Sequence, residues 1–286
     1  MSETQSRFQL NFGYNRFADL FYYLLAHMPL DCAADVYDPE FTAQMARDLG
    51  IHPLIPQRLT EYYQEHFDRV GIVSFLPLIT DNTKHCREAM AACGQLTKKD
   101  MTYFAEPMME ICDRVCEPFY GWWEETHRAA AERKQKVYDR FNALAEKFRP
   151  FLDSAGVEQK LLFSYTIRKN GRAFQQPDRV TVYVKFPEKD EEITGCFLQF
   201  LHECTHRVTD PLMNRQILMA DGSHDLSEYQ VLVYDEYLIR TLCPELEDAY
   251  REWVGEELLE AAHEGLGEDG CANLEKLIEP LTIQNS

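Results

Sequence analysis

No run of apolar residues in this chain approaches the ~18 that a membrane-spanning helix needs, so no transmembrane segment is expected. Basic charge is also scarce. Lys plus Arg number 29 against 48 for Asp plus Glu, giving a formal net charge of -19. An excess of that sign excludes the basic surface that phosphate-backbone binding requires, and it disfavours attachment to an anionic membrane. Neither a nucleic-acid partner nor a membrane partner is therefore expected. The first twenty residues, MSETQSRFQLNFGYNRFADL, lack both a basic n-region and an uninterrupted apolar h-region, so no export signal is expected. Internal repeats and low-complexity linkers are missing too. The nine cysteines follow no repeated C-x-x-C spacing, and Cys112 and Cys116 have no second pair to complete a zinc-finger pattern. An odd, scattered set with no export signal reads as reduced thiols in the cytoplasm, used mainly as small core residues.

What is present is enough for a large core. The chain has 286 residues, 45% of them hydrophobic, which suits one large domain or two smaller ones. Phe8 to Leu10 lead into FADLFYYLLAHM, a strongly apolar stretch that predicts a buried first helix after a short extended segment. Asp31 to Pro39 breaks the pattern, and PEFTAQMARDLG predicts a short helix with Gly50 as its C-terminal signal. Leu59, Tyr62, Tyr63 and His66 recur at helical spacing, and VGIVSFLPLIT reads as a strand, a helix or an irregular core segment. Residues 98–149 predict one long helical region, with an interruption at Pro118, and Trp122 and Trp123 read as packing anchors. His66 and His85 sit alone among ordinary helical neighbours, so residues 1–150 form a helical region without a motif for chemistry.

The pattern changes after Pro150. Gln159–Arg168 alternates as a strand, Asn170-Gly171 is a turn signal, and Arg179–Phe186 is a β-run with period two. These two runs predict a small sheet, with the two as antiparallel neighbours. The expected fold class is α+β, mostly helical: a small β-sheet beside a long helix in residues 151–286, with a helical N-terminal half. The break near residue 150 marks either a domain boundary or two lobes of one domain.

That long helix carries Leu201-His202-Glu203-Cys204-Thr205-His206. Ile193, Cys196, Phe197, Phe200, Leu201, Cys204 and Val208 form an apolar stripe at helical spacing, and Pro211 ends the pattern. Two histidines four apart on a helix stand one turn above each other, so His202 and His206 can bind one metal ion through their imidazoles. Glu203, next to the first ligand, reaches a metal-bound water without binding the metal itself. This is the H-E-x-x-H pattern of zinc-dependent hydrolases, with Zn2+ as the expected cofactor and Glu203 as general base.

A catalytic zinc usually takes three protein ligands and one water. Leu226–Leu242 predicts a further apolar helix whose acidic residues are Glu228, Asp235 and Glu236. Glu236 is the choice for third ligand. It sits in an otherwise apolar turn, where an unpaired carboxylate would be expensive and metal coordination would remove the cost. Its alternative role is an ion pair with Arg240, one helical turn on. Glu228 lies nearer the helix start, where acidic residues serve the helix dipole, and Asp235 is the fallback.

HExxH followed by a glutamate on a later helix resembles the gluzincin group of zinc metallopeptidases, with His202, Glu203, His206 and Glu236 in the matching places. FLHECTHRVTDPLM with the later YDEYLIRTL resembles, more narrowly, a little-studied bacterial family with a downstream E-x-x-x-R. The likeness covers residues 160–245. It implies a cytoplasmic peptidase acting on a peptide or protein, with a sheet edge that binds peptide as an added strand, for which Val180–Phe186 with Tyr183 is the candidate. His224, Tyr229, Tyr234 and Tyr237 are candidates to stabilise the oxyanion. Two features depart from the pattern: Arg207 follows the second histidine, and Arg240 stands where a carboxylate would support the histidines. Asp210 and Asp235 remain as possible partners of the imidazoles. The rival reading is a non-catalytic helical interaction protein that retains a metallopeptidase-like site.

Overall fold

The computed structural model describes residues 10–30, 36–212 and 223–283, so the N-terminal segment and the 31–35 break lie outside the described residues. The fold is α+β and mostly helical, with one four-stranded mixed sheet. In chain order the principal elements are β1 (Asn11–Tyr14), α1 (Arg16–Leu25), α2 (Pro39–Leu49), α3 (Gln57–Glu65), α4 (Thr83–Ala92), α5 (Glu106–Ala129) and α6 (Ala131–Lys147). The second half adds β2 (Glu158–Ser164), β3 (Arg172–Gln175), β4 (Arg179–Lys185), α7 (Glu192–Thr209), α8 (Ser223–Leu242), α9 (Glu247–Val254) and α10 (Glu256–Ile283). Among the described residues no helix is long and apolar enough to cross a membrane.

Local sequence explains most boundaries. Asn15 starts α1 by accepting the amides of Phe17 and Ala18 on its side chain. Gly50 ends α2 in the left-handed conformation, φ 63, where a side chain would be strained. VGIVSFLPLIT forms two short 3-10 turns, Gly71–Ser74 and Leu76–Ile79, rather than a strand. Pro118 does not interrupt the long helical region. It lies inside α5, and the break comes instead at Ala130.

The sheet departs from the expected hairpin. Its order is β1-β2-β4-β3, with β1, β2 and β4 parallel and β3 antiparallel to β4. The runs read from sequence, β2 and β4, are therefore parallel neighbours, and the chain between them returns as β3 along the edge. β4 is interior to the sheet, so Val180 to Tyr183 of the strand expected to offer a peptide-binding edge have partners on both sides. Gly171 lets β3 enter against α7, because a Cβ there would stand 2.9 Å from the Tyr183 carbonyl oxygen and 3.0 Å from Gln199 Cγ.

One core joins the two halves of the sequence. Phe163 of β2 lies edge-on to Phe141 of α6, with ring centroids 5.2 Å apart, and Phe197 of α7 packs on both Phe141 and Phe148. Beside them Asp19 of α1 is fully buried. Its carboxylate accepts from Ser164 Oγ, Thr166 Oγ1, Tyr183 OH, Trp123 Nε1 and the Tyr165 amide at 2.5–3.1 Å. Burial raises its pKa, and the hydrogen bonds from Ser164, Tyr183, Trp123 and Thr166 act in the opposite direction. The change of composition near residue 150 is thus crossed by both a strand pairing, Phe12 with Leu161, and a buried polar node.

Candidate metal centre

α7 begins where Glu192 accepts the amides of Glu188 and Lys189, and its apolar stripe, Ile193, Cys196, Phe197, Phe200, Leu201 and Cys204, is buried. That packing fixes the opposite rotation of the helix. His202, Glu203 and His206 all line a cleft of about 1100 Å³.

The third group in the cleft is Glu228 of α8. His202 Nε2 lies 3.3 Å from one Glu228 oxygen, and His206 Nε2 lies 3.5 Å from the other. The ligand atoms of these three residues all fall within 4.8 Å of one another. A tetrahedral zinc with bonds of about 2.0–2.2 Å separates its ligands by about 3.3–3.6 Å. The separations of the two histidines from Glu228 match that edge, so the residues fit the group.

Glu236, the third ligand expected from sequence, is not in this cluster; Glu228 stands there instead. Around the α8 axis Asp235 lies within about 20° of Glu228, whereas Glu236 is turned by about 80°. Glu236 is buried, 3% exposed, and its carboxylate meets Arg251 Nη2 at 2.5 Å and His263 Nε2 at 2.6 Å. Those partners, and not a metal, offset the cost of burying it. Arg240 does not pair with it either; its guanidinium lies 3.5 Å from Glu275.

Both imidazoles have a carboxylate behind them. His202 Nδ1 faces Asp235 Oδ2 at 3.3 Å, without hydrogen-bond alignment, while Asp235 Oδ1 accepts from Thr205 Oγ1 at 2.5 Å. His206 Nδ1 lies 3.1 Å from Asp210 Oδ1, which also accepts from Ser227 of α8. A proton held on each Nδ1 leaves each Nε2 lone pair directed at Glu228, the tautomer a metal ligand needs. Trp253 of α9 closes the side of the site, its ring 5.8 Å from that of His202.

The charge balance favours a cation. Burial alone would depress the His202 pKa, but Asp235, Glu228 and Glu203 outweigh it and push the pKa up to about 10. His206 is half-buried, which would lower its pKa, but Asp210, Glu228 and Glu203 raise it against that and against the neighbouring His202. A divalent ion would answer the same demand for positive charge by displacing those protons.

Glu203 projects beside the two histidines, half-buried, with one oxygen accepting from Gln199 Nε2 at 3.0 Å. Arg207 turns away to the Pro177 carbonyl and leaves the cleft free of its charge. Of the expected oxyanion donors, Tyr229 lines the cleft, Tyr234 packs on Phe151, and Tyr237 lies against His263. The His224 side chain lies outside the described residues. Arg172, on the edge strand, also lines the cleft. It escaped sequence reasoning because RAFQ is too short to signal a strand.

The opposite wall comes from the helical half, through Leu25, Leu30, Tyr37, Tyr63, Phe67 and Phe75. Neither a scan of family models nor searches of curated proteins and solved structures found a match for this chain.

Proposed function

We propose that this protein is a zinc-dependent metallohydrolase, of the kind the gluzincin resemblance implies, that cleaves peptide bonds. The observation that carries the reading is the convergence of His202 Nε2, His206 Nε2 and the Glu228 carboxylate at 3.3 and 3.5 Å, with Glu203 adjacent. His202, His206 and Glu228 would hold the ion. When bound, Zn2+ supplies Lewis acidity and lowers the pKa of a coordinated water towards neutrality.

The chain's own residues supply the rest. Glu203 accepts the proton of the attacking water and returns it to the leaving amine. Its bond from Gln199 fixes the carboxylate without using both oxygens. Arg172 and Tyr229 are cleft-lining donors available to the developing oxyanion. β3 is an edge strand paired only with β4 among the described residues, and Gly171 to Ala173 line the cleft, so an extended peptide can be held there as an added strand. The apolar wall opposite suits a substrate with large apolar side chains, and a cavity of about 1100 Å³ suits several residues of chain. The eight described cysteines are free thiols, which suits the cytoplasm as the compartment.

The test combines metal analysis with Glu203→Gln. We expect about one zinc per chain in both proteins, and hydrolysis of an unstructured peptide library by the wild type that falls at least ~100-fold in the variant. Wild-type protein that binds no metal would end the proposal. Zinc bound equally with no hydrolysis by either protein would replace it with a non-catalytic metal site.

A further inference from the structure

A second constellation lies outside the cleft, between α8 and α10. Cys271 is half-buried, and its Sγ lies 3.5 Å from His263 Nδ1. The other ring nitrogen of His263 meets Glu236 Oε2 at 2.6 Å. His263 and Cys271 are eight residues apart, which on a straight helix would separate them by about 12 Å. Gly267, with φ 67 and ψ 172, breaks α10 between them and brings thiol and imidazole into contact. A side chain at that backbone angle would be strained, so the contact depends on glycine.

We infer that Cys271 is a reactive thiol and a modification site for peroxides, with His263 as its base and Glu236 as the group that orients the base. The arrangement is nucleophile, base and orienting acid in sequence, each within reach of the next. Glu236 holds the proton on Nε2, which leaves the Nδ1 lone pair to take the proton of the thiol. Arg251 occupies the other oxygen of Glu236 and keeps that carboxylate in place. The other groups facing the site are the Tyr237 ring, 5.9 Å from His263, the Arg240–Glu275 pair, and Glu247 and Glu256 around Arg251. Burial and the nearby Cys271 push the Tyr237 hydroxyl up to about 12, so it stays protonated.

The reaction balances without a further reagent. The thiolate sulfur attacks one oxygen of hydrogen peroxide and the O–O bond breaks. Sulfur is oxidised to a sulfenic acid, the peroxide is reduced, and the leaving hydroxide takes the proton from His263 to become water.

Limiting iodoacetamide on the purified full-length protein, followed cysteine by cysteine through peptide mass spectrometry, tests the inference. Cys93 and Cys116 are also half-buried and serve as internal references. We expect Cys271 to react at least ~10-fold faster than either near pH 7, and one equivalent of peroxide to give a dimedone-trapped sulfenic acid there first. His263→Gln and Glu236→Gln should each lower the Cys271 rate about tenfold and leave the reference cysteines unchanged. Because buried Glu236 also supports α8, the half-exposed His263 variant is decisive if Glu236→Gln fails to fold. A Cys271 rate equal to the references, or one that His263→Gln leaves unchanged, overturns the inference.

Discussion

Asp235 receives the Thr205 hydroxyl on one oxygen and turns the other towards His202 Nδ1. That single buried carboxylate links α8 to the helix of the histidines and places a negative charge beside His202 Nδ1. Asp235→Asn should keep the fold, because the amide oxygen still accepts from Thr205. It should weaken zinc binding about 10–100-fold, as read by chelator competition. Unchanged affinity would show that His202 needs no orienting partner. At this scale the sequence was partly legible. The spacing of His202 and His206 and the neighbouring Glu203 are visible in it, and so are Asp210 and Asp235 as possible partners of the imidazoles. The third residue of the cluster is not. Glu236 has the apolar sequence neighbours that point to a ligand, yet its charge is met by Arg251 and His263, fifteen and twenty-seven residues further on. No local spacing reveals partners that distant, whereas Glu228 and Asp235, seven apart, share a helix face by geometry alone.

Among the elements, the start of the long helical region is held by one carboxylate. Thr97 and Asp100 form a reciprocal capping box, and Asp100 also takes Arg69 at 2.8 Å and Tyr62 at 2.9 Å. Arg69 foremost, with Thr97 and Tyr62, holds the Asp100 pKa well below its ordinary value of 3.8. A carboxylate depressed in the folded state contributes stability that is full above its unfolded pKa and is lost as pH falls through the folded one. The difference in melting temperature between wild type and Asp100→Asn should therefore be largest near neutrality and shrink below about pH 4. A constant difference down to strong acid would show that the ion pair contributes little. Most helices were legible from apolar spacing and their caps, as at Asn15 and Gly50. The strand arrangement was not, because β3 is four residues long and Asn170-Gly171 looked like a hairpin turn. With β3 unseen, β2 and β4 read as neighbours in the wrong sense.

Across the whole molecule, Asp19 ties α1 and α5 to β2 and β4. Two of its donors, the Trp123 indole and the Tyr165 amide, cannot reverse their hydrogen-bonding sense as hydroxyls can. Asp19→Asn must turn its NH2 either at the Trp123 indole or at the oxygen position shared by Ser164, Thr166, Tyr183 and the Tyr165 amide, and either choice removes buried hydrogen bonds, at a cost on the order of 1–3 kcal/mol. Urea denaturation should show that loss as one cooperative transition in near- and far-ultraviolet circular dichroism alike. Two separated transitions would show that the helical half unfolds on its own. No motif announced what residues 1–150 contribute, because an apolar cleft wall uses the same residue types as a core.

The place of β1 in the sheet has a consequence for how the chain is made. Its partners, Lys160 to Phe163, emerge about 150 residues after it. Until then Asn11 to Tyr14 have no strand to join, and Asp19 lacks Ser164, Thr166 and Tyr183. A contact of such long range closes late and slowly. The helical half must therefore wait, with its first strand and buried acid unsatisfied, for the half of the chain that also carries His202, His206 and Glu228. The sheet that supports the cleft therefore closes only once more than half of the chain exists.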